Sequence, residues 1–402
     1  MMKKTWVSLG IMLLFININA EARSLKAGSW KFFLRTTNAE IPFIIEFNYN
    51  KNNVLTGELK NGAETIILKD ITQKKDELII PLQNYDLTLE LSFQKDETLA
   101  GSLVRHNKNP KVRQPVMAIH GVSERFKHVK ELPFVNLTGK WTLVLEEHDG
   151  KKSPAIGNFK QEGTKLSGSI LTPTGDFRYL DGYVKDDSFE AASFDGVYNY
   201  LFRGKVKNGQ MEAAILSNSK TRVFGQLDPK AVLPDAYKQT ALTEMNFIFP
   251  DLKGQGVSLN HKKFKNKPVI VQIYGSWCPN CLDEMNFLIP WYKANKNRGI
   301  EVVALAFERS LSPEEATKQL LKVQKKMNVP YTLLQAGSTA EDKPTDKISG
   351  LKNFISFPTT IFLDRKHKVI KVHAGFSGPS TGEFYEDWKK DFNETVNGLL
   401  RK

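Results

Sequence analysis

Hydrophobic and polar positions alternate in short runs between residues 25 and 230. Stretches such as IPFIIEF, TLELSF and KWTLVLEE have the period of two that is typical of strands with one buried face. Turn-forming segments such as NGAE, PTGD and KNGQ separate them. The pattern predicts an antiparallel β-rich region with almost no helix.

This region contains an internal repeat. Gly28 and Trp30 in AGSWKFFL recur as Gly139 and Trp141 in TGKWTLVL, and VLTGEL recurs as KLSGSI. We interpret each copy as an antiparallel meander that forms a small barrel or packs face to face, because both arrangements hide strand edges. The opening Gly-x-Trp strands resemble those of lipocalin- and avidin-type barrels. We interpret both tryptophans as core residues rather than ligand contacts.

Further along the chain the pattern changes to alternating strands and helices. NKPVIVQIYGS (266–276) and IEVVALAF (300–307) are continuous apolar runs, as expected for strands buried on both faces. SPEEATKQLLKVQKKMN (312–328) begins with the helix N-cap Ser312, followed by Pro313. With further strands and an amphipathic closing segment, the order predicts an α/β sandwich.

The chain therefore divides into several segments, of which 106–138 is interpreted as a connector because it is basic and broken by prolines. The predicted segments are a signal peptide at 1–22, β-rich repeats at 23–105 and 139–230, the connector at 106–138, a linker at 231–244 and an α/β domain at 245–402.

The first 22 residues have the composition of a secretory signal, with two lysines, an apolar run from Trp6 to Ile18 and then small residues. An uncleaved membrane anchor is the alternative, although the run is short for a span. We expect a periplasmic protein in an oxidising compartment. The net charge of +13 comes from scattered lysines without interleaved aromatics, so no nucleic-acid partner is predicted.

The chain has two cysteines, Cys278 and Cys281, in IYGSWCPNCLDEMNF. A disulfide that closes so short a loop adds little stability, which favours a redox role. Cys278 lies at the start of a predicted helix, where free N–H groups and the helix dipole favour a thiolate. Cys281 is placed to resolve a mixed disulfide with a partner. The pair predicts a redox-active dithiol that cycles through a Cys278–Cys281 disulfide.

The segment YGSWCPNC after a buried strand, and the later ISFPTTIFLD, resemble the thioredoxin fold, and more narrowly the TlpA/ResA-like exported thiol-disulfide oxidoreductases. The resemblance covers residues 245–402 and leaves the β-rich half unassigned. It implies a multidomain chain in which an antiparallel β-rich repeat region precedes a C-terminal α/β thioredoxin fold. It also implies a cis peptide bond at Pro358, and client contacts from Trp277, Phe357 and Thr359. No cofactor is expected.

Proton transfer is assigned to Glu284. Ordinary thioredoxins have a buried Asp six residues before the first cysteine, where this chain has Gln272; ResA-like members have an acid three residues after the second cysteine, which is Glu284 here. Three-residue spacing puts Glu284 on the helix face of Cys281. We hypothesise that Glu284 has a raised pKa and shuttles the proton of Cys281. The alternative is a solvated carboxylate paired with a lysine.

Competing chemistries fit the residues less well. A peroxiredoxin site would need a hydroxyl residue and a proline where the chain has Gly275 and Val271, and copper-delivering relatives space their cysteines more widely. A structural zinc would need further ligands, but His261, His367 and His373 are scattered. No metal is predicted.

We expect the chain to reduce disulfides of exported client proteins, with a membrane electron donor as in relatives of this family, although the redox direction is left open. A binding function is the alternative. In that case the β-rich repeats recruit an envelope ligand or partner, and the thioredoxin-like domain is secondary.

Overall fold

The computed structural model describes residues 24–82, 85–106, 110–127, 129–234, 244–309 and 312–401. The predicted signal peptide and most of the predicted linker lie outside the described residues.

The first β-rich unit is one antiparallel sheet in which, among the described residues, nine strands pair in the order β4-β3-β2-β1-β9-β8-β7-β6-β5. The sheet is a half-barrel, because β9 returns to pair with β1 while β4 and β5 form its two ends. The strands are β1 Gly28–Arg35, β2 Glu40–Tyr49, β3 Leu55–Asn61, β4 Glu64–Leu68, β5 Thr72–Lys74, β6 Glu77–Leu82, β7 Leu87–Phe93, β8 Leu99–Arg105 and β9 Val112–His120.

Strand β9 corrects the predicted connector at 106–138. The prolines in that segment suggested irregular chain, yet Val112–His120 pairs with β8 along most of its length. Pro115 is tolerated because the pairing of β9 with β1 begins one residue later, at Val116. A proline lacks the N–H that a second ladder would use, so it fits where the strand has a partner on one side.

The second β-rich unit also has nine strands within the described part of the chain, and it closes. β10 pairs with β18 and β11, and β11 also pairs with β12, so the sheet forms a complete antiparallel barrel. The strands are β10 Gly139–Glu146, β11 Lys152–Glu162, β12 Lys165–Thr172, β13 Gly175–Asp176, β14 Leu180–Lys185, β15 Ser188–Phe194, β16 Asn199–Lys207, β17 Gln210–Leu216 and β18 Lys220–Leu227.

Equivalent hydrogen bonds mark the two units as repeats. The indole Nε1 of Trp30 donates to the carbonyl of Lys26 at 2.9 Å, and Nε1 of Trp141 donates to the carbonyl of Leu137 at 2.9 Å. Both indoles are 1% exposed, as expected for core residues. A buried indole needs a partner for its N–H, and in both copies the residue four positions earlier provides it.

The two units share part of a core. Phe194 of β15 stacks on Phe43 of β2 with ring centroids 3.8 Å apart. Ala192 and Leu201 of the second unit lie in the same cluster as the core of the first. The units are therefore packed together through apolar side chains.

The C-terminal domain has a five-stranded sheet in the order β23-β22-β21-β24-β25, flanked by helices and preceded by a two-stranded ribbon. β21, β22 and β23 are parallel, whereas β24 and β25 are antiparallel to their neighbours. The elements are β19 Ile248–Pro250, β20 Gly256–Ser258, β21 Val269–Tyr274, α1 Pro279–Asn295, β22 Glu301–Glu308, α2 Pro313–Met327, β23 Thr332–Ser338, α3 Pro344–Lys347, β24 Thr359–Leu363, β25 Val369–Ala374 and α4 Glu383–Arg401, with 3₁₀ turns at Lys296–Arg298 and Pro379–Thr381.

The predicted elements of this domain are present. Every residue of β21 is buried, because one face packs against α1 and the other against the β19–β20 side. Ser312 caps α2 by accepting from the backbone N–H of Glu315, and Pro313 follows it. The fold class is confirmed: a β-rich, barrel-like N-terminal region precedes a thioredoxin fold. No helix within the described residues is both long and apolar enough to cross a membrane.

Candidate active site at the start of helix α1

The two cysteines lie at the point where β21 turns into α1, and they form a disulfide. Cys278 is the N-cap of α1, and its Sγ accepts from the backbone N–H of Cys281 at 3.3 Å. Cys278 is 5% exposed to solvent, whereas Cys281 is 0% exposed. A sulfur at a helix N-terminus faces free N–H groups and the positive end of the dipole, which stabilise a thiolate. The geometry orders the two sulfurs as an outer and an inner one.

The loop before β24 lies against the outer sulfur. The Phe357–Pro358 peptide bond is cis, as the resemblance implied, and the carbonyl oxygen of Phe357 lies 3.7 Å from Sγ of Cys278. Trp277 packs edge-on against Phe357 with ring centroids 5.3 Å apart, and its Nε1 donates to the carbonyl of Phe307 at 2.9 Å. These contacts hold Trp277 and Phe357 as one aromatic wall beside the disulfide.

Thr359 occupies a different environment from the one expected of a client contact. Its side chain is 0% exposed, and its hydroxyl donates to the carbonyl of Ser356 at 2.7 Å. The hydroxyl therefore stabilises the turn around Pro358, and the structure gives this side chain no access to solvent.

Glu284 lies on the inner side of the disulfide and is 0% exposed. Its Oε1 accepts from the hydroxyl of Thr360, and its Oε2 accepts from Nε2 of Gln272 at 2.7 Å. Burial raises the pKa of the Glu284 carboxyl to about 7, although the hydrogen bonds from Thr360 and Gln272 favour the charged form. A carboxyl with this pKa exchanges protons near neutral pH, and it is not the solvated carboxylate of the alternative interpretation.

Gln272 has a structural role that the sequence did not reveal. It occupies the position of the buried thioredoxin Asp, and its Nε2 also donates to the carbonyl of Cys281 at 3.3 Å. An amide cannot act as a base, but it links the carboxyl of Glu284 to the backbone at the inner cysteine. This chain thus has an amide at position 272 that hydrogen-bonds the acid at position 284.

A hairpin of the second β-rich unit covers the start of α1. Nδ2 of Asn280, the residue before Cys281, donates to the carbonyl of Asp176 at 3.4 Å. The Asp176 carboxylate in turn accepts from the N–H of Gly378 at 2.7 Å. Gly175 is close-packed here, since a Cβ on it would lie 2.0 Å from Nδ2 of Asn280. The β-rich region is therefore part of the surroundings of the dithiol.

Arg178 joins all three units in a buried ionic cluster. Its side chain is 7% exposed, and its guanidinium contacts Asp283 of α1, Glu64 of β4 at 2.5 Å and Asp195 at 3.0 Å. Burial raises the pKa of the Asp283 carboxyl to about 6, and the charge of Arg178 opposes that rise. Sequence reasoning missed this cluster because Glu64, Arg178 and Asp283 are each more than a hundred residues apart along the chain, and no member belongs to a local motif.

A CxxC disulfide at the start of the first helix, a cis-proline loop beside it and a central mixed sheet define a thioredoxin-like thiol-disulfide oxidoreductase. The redoxin family model matches residues 234–386, so the C-terminal region is a redoxin domain. Residues 1–233 lie outside that match.

Relatives carry the same description. The chain is 29% identical over 145 residues to the thiol-disulfide oxidoreductase ResA of Bacillus thuringiensis subsp. konkukian, covering 36% of this chain and 73% of the relative. It is 23% identical over 154 residues to the sporulation thiol-disulfide oxidoreductase A of Bacillus subtilis, covering 38% and 83%. Among solved structures, the chain is similar to the crystal structure of a thiol:disulfide interchange protein DsbE from Chlorobium tepidum. The two sequences are 21% identical, the TM-score is 0.31, and the match covers 40% of this chain and 99% of the other.

Proposed function

We propose that this protein is a periplasmic oxidoreductase that reduces disulfides in exported client proteins through Cys278 and Cys281. The observation that carries the proposal is the ordering of the sulfurs: Cys278 is at the helix N-terminus beside the Phe357–Pro358 edge, and Cys281 is fully buried next to it. This arrangement suits one sulfur for encounter and the other for resolution.

In the proposed cycle, the Cys278 thiolate attacks a client disulfide and releases one client thiolate. The resulting mixed disulfide is broken when the Cys281 thiolate attacks Sγ of Cys278. The second client thiolate leaves, and the Cys278–Cys281 disulfide forms. Two electrons pass to the client, whose thiolates take up protons, and a dithiol donor at the membrane restores the reduced enzyme.

Glu284 serves as the proton acceptor for Cys281 in this cycle. A buried thiol is a poor nucleophile until it is deprotonated. The Glu284 carboxyl has a pKa of about 7 and lies one helical turn from Cys281. It is therefore suited to take the Cys281 proton near neutral pH and to return it when the disulfide is reduced.

The proposal of export rests on the signal-like pattern of residues 1–22. It also rests on the proposed reaction, because the disulfides that such an enzyme would act on persist mainly in oxidising compartments outside the cytosol. The name of the Bacillus relatives, thiol-disulfide oxidoreductase, agrees with this activity.

The cycle is tested by trapping. With Cys281→Ser, the attacking sulfur remains and the resolving one is lost, so mixed disulfides with exported proteins should accumulate on non-reducing gels. Cys278→Ser, the matched control, should accumulate far fewer. Equal trapping by the two variants, or no reaction of the wild-type dithiol with a disulfide reagent, would refute the cycle. The midpoint potential of the couple then decides whether the enzyme reduces or oxidises its clients.

A further inference from the structure

A cavity of about 440 Å³ lies between the first β-rich unit and the C-terminal domain. Its lining includes Trp277, the residue before Cys278, together with Tyr85 and Arg105 of the first unit, and Arg309 and part of α2. Its volume is within the range of about 300–1,000 Å³ that is usual for ligand sites. Neither domain alone forms this space.

Two arginines from different units face the cavity. Arg105 ends β8 and Arg309 follows β22, and both are half-buried. Within the described residues, neither guanidinium forms an ion pair with a carboxylate. Burial lowers the pKa of Arg309, the nearby charge of Arg105 lowers it further, and the charge of Glu308 opposes both effects. Two like charges thus lie near each other, and the neighbouring Glu308 carboxylate offsets part of their repulsion without a direct ion pair.

The carboxylate beside Arg309 is already engaged. Oε1 of Glu308 accepts from the backbone N–H of Ser276 at 2.9 Å, and its Oε2 accepts from the Ser276 hydroxyl at 2.7 Å. The rest of the lining carries Asp86 and Glu315 together with Lys318 and Lys322. Glu308 is thus hydrogen-bonded to Ser276 rather than to Arg309, and the guanidinium of Arg309 lies at Trp277 with the charge of Arg105 near it.

Trp277 connects this pair to the dithiol. Its ring lies 4.4 Å from the Arg309 guanidinium carbon and 5.3 Å from the ring of Phe357, whose carbonyl faces Cys278. An extended chain that lies along the Phe357–Pro358 edge would pass Trp277 and reach the arginines. Such a chain would bring a side chain next to its cysteine into the cavity.

We propose that Arg105 and Arg309 bind a carboxylate of the client polypeptide, so that the enzyme prefers clients with an Asp or Glu near the reactive cysteine. A guanidinium pairs with a carboxylate through two parallel hydrogen bonds, and the bound charge relieves the repulsion between the two arginines. The inference rests on the proposed disulfide exchange, since it names the substrate class of that same site.

Binding can be measured without turnover. The probe is an eight-residue peptide in which the client cysteine is replaced by Ser, with Glu, Gln or Lys two residues away, titrated into the full oxidised chain by calorimetry. The Glu peptide should bind about tenfold more tightly than the Gln peptide, as a charge-assisted pair in a half-buried site allows, and the Lys peptide should bind most weakly. Arg105→Gln and Arg309→Gln should each remove most of the difference.

Lys207→Gln is the matched control, because it removes one positive charge from an exposed position away from the cavity. Val197, just before β16, lines the cavity, and Lys207 is the last residue of that strand. It should leave the Glu preference unchanged. Arg105→Lys and Arg309→Lys keep the charge but lose the guanidinium fork, so they should retain part of the preference even if the Gln variants fold poorly. Equal affinity for the Glu and Gln peptides in wild type, or an unchanged preference in both arginine variants, overturns the proposal.

Exchange rates separate this inference from the function on which it rests. Reduction of a disulfide-linked Gln peptide reports the activity itself, whereas the ratio of Glu to Gln rates reports the arginine pair. A preference for glutathione disulfide over the uncharged hydroxyethyl disulfide, without any preference among the peptides, would assign the pair to small acidic disulfides and contradict a polypeptide ligand.

Discussion

Nε2 of Gln272 donates to Oε2 of Glu284 at 2.7 Å, and both side chains are fully buried. Glu284 lies on α1 three residues after Cys281, while Gln272 on the neighbouring strand β21 donates to both the Glu284 carboxyl and the Cys281 carbonyl. Burial of the pair raises the pKa of Glu284 to about 7. Ordinary thioredoxins have an acid at the position of Gln272. In this chain, Gln272 instead donates a hydrogen bond to the acid at position 284.

Glu284→Gln should slow disulfide exchange and remove its dependence on pH near 7. The reason is that Gln cannot accept the Cys281 proton, and general-base catalysis contributes about 10²-fold or more. Single-turnover oxidation of the reduced enzyme by a neutral disulfide, measured from about pH 5 to pH 9, gives both quantities.

Thr360→Val is the companion variant. It removes a hydrogen bond that favours the charged carboxylate, so the inflection of the rate should move to higher pH rather than disappear. If Glu284→Gln keeps the wild-type profile, the proton passes through another group.

The same carboxyl should make stability depend on pH. Its pKa rises from 4.5 in the unfolded chain to about 7 in the fold, so between these values the folded state binds the extra proton. Its contribution to the free energy of unfolding is therefore greatest below pH 4.5 and falls as the pH rises through about 7. The full change corresponds to about 3 kcal/mol.

Urea denaturation of wild type and Glu284→Gln at several pH values isolates this contribution, because other buried acids act equally on both. The variant should gain stability relative to wild type between pH 4.5 and pH 8. A constant difference between the two proteins across that window would show that Glu284 keeps an ordinary pKa.

Arg178→Met should destabilise the protein by about 3–5 kcal/mol, because it leaves one fully buried carboxylate, Asp195, and two partly buried ones without their cation. Glu64, Asp195 and Asp283 come from three different parts of the chain, so the units should also unfold less cooperatively. Calorimetry measures both effects.

The control for this variant is Arg203→Met in the same barrel. Arg203 pairs with Glu190 at 2.5 Å, but its side chain is 57% exposed, and a surface pair contributes about 0–1 kcal/mol. Comparable losses of stability from the two substitutions would mean that the buried cluster stabilises the protein no more than an exposed ion pair does.

Gly175→Ala should loosen the hairpin that covers the dithiol. The new Cβ would lie 2.0 Å from Nδ2 of Asn280, at a residue whose φ is +149°, so the Asn280 side chain has to move and its hydrogen bond to Asp176 is lost. The reduced thiol of Cys278 should then react faster with iodoacetamide than in wild type.

Gly209→Ala is matched to it, since Gly209 also has a positive φ, +74°, but a Cβ added there would meet no heavy atom within 4 Å. It should cost about 1 kcal/mol through backbone strain and leave the alkylation rate unchanged. Faster alkylation in both variants would point to general loosening rather than to the contact with Asn280.

Much of the C-terminal domain could be predicted from the sequence, because its signals are local. A continuous apolar run indicates a doubly buried strand, and Ser312 and Pro313 mark a helix start. Cysteines three residues apart at the start of a helix lie within disulfide range of each other. The repeated Gly-x-Trp strands likewise indicated where each β-rich unit begins. Strand β9 was missed because the prolines in and around it suggested a connector, even though its partner β8 directly precedes it in the chain.

The sequence by itself determined the dithiol, through the spacing of its two cysteines, and its resemblance to the thioredoxin fold indicated the loop around Pro358 and the acid at position 284. Tertiary structure alone decided that Gln272 supports Glu284, that Asp176 and Arg178 cover α1, and that Arg105 approaches Arg309. These contacts join residues far apart in the chain, and their energies depend on burial, which alternation along a strand indicates only for one face of one element.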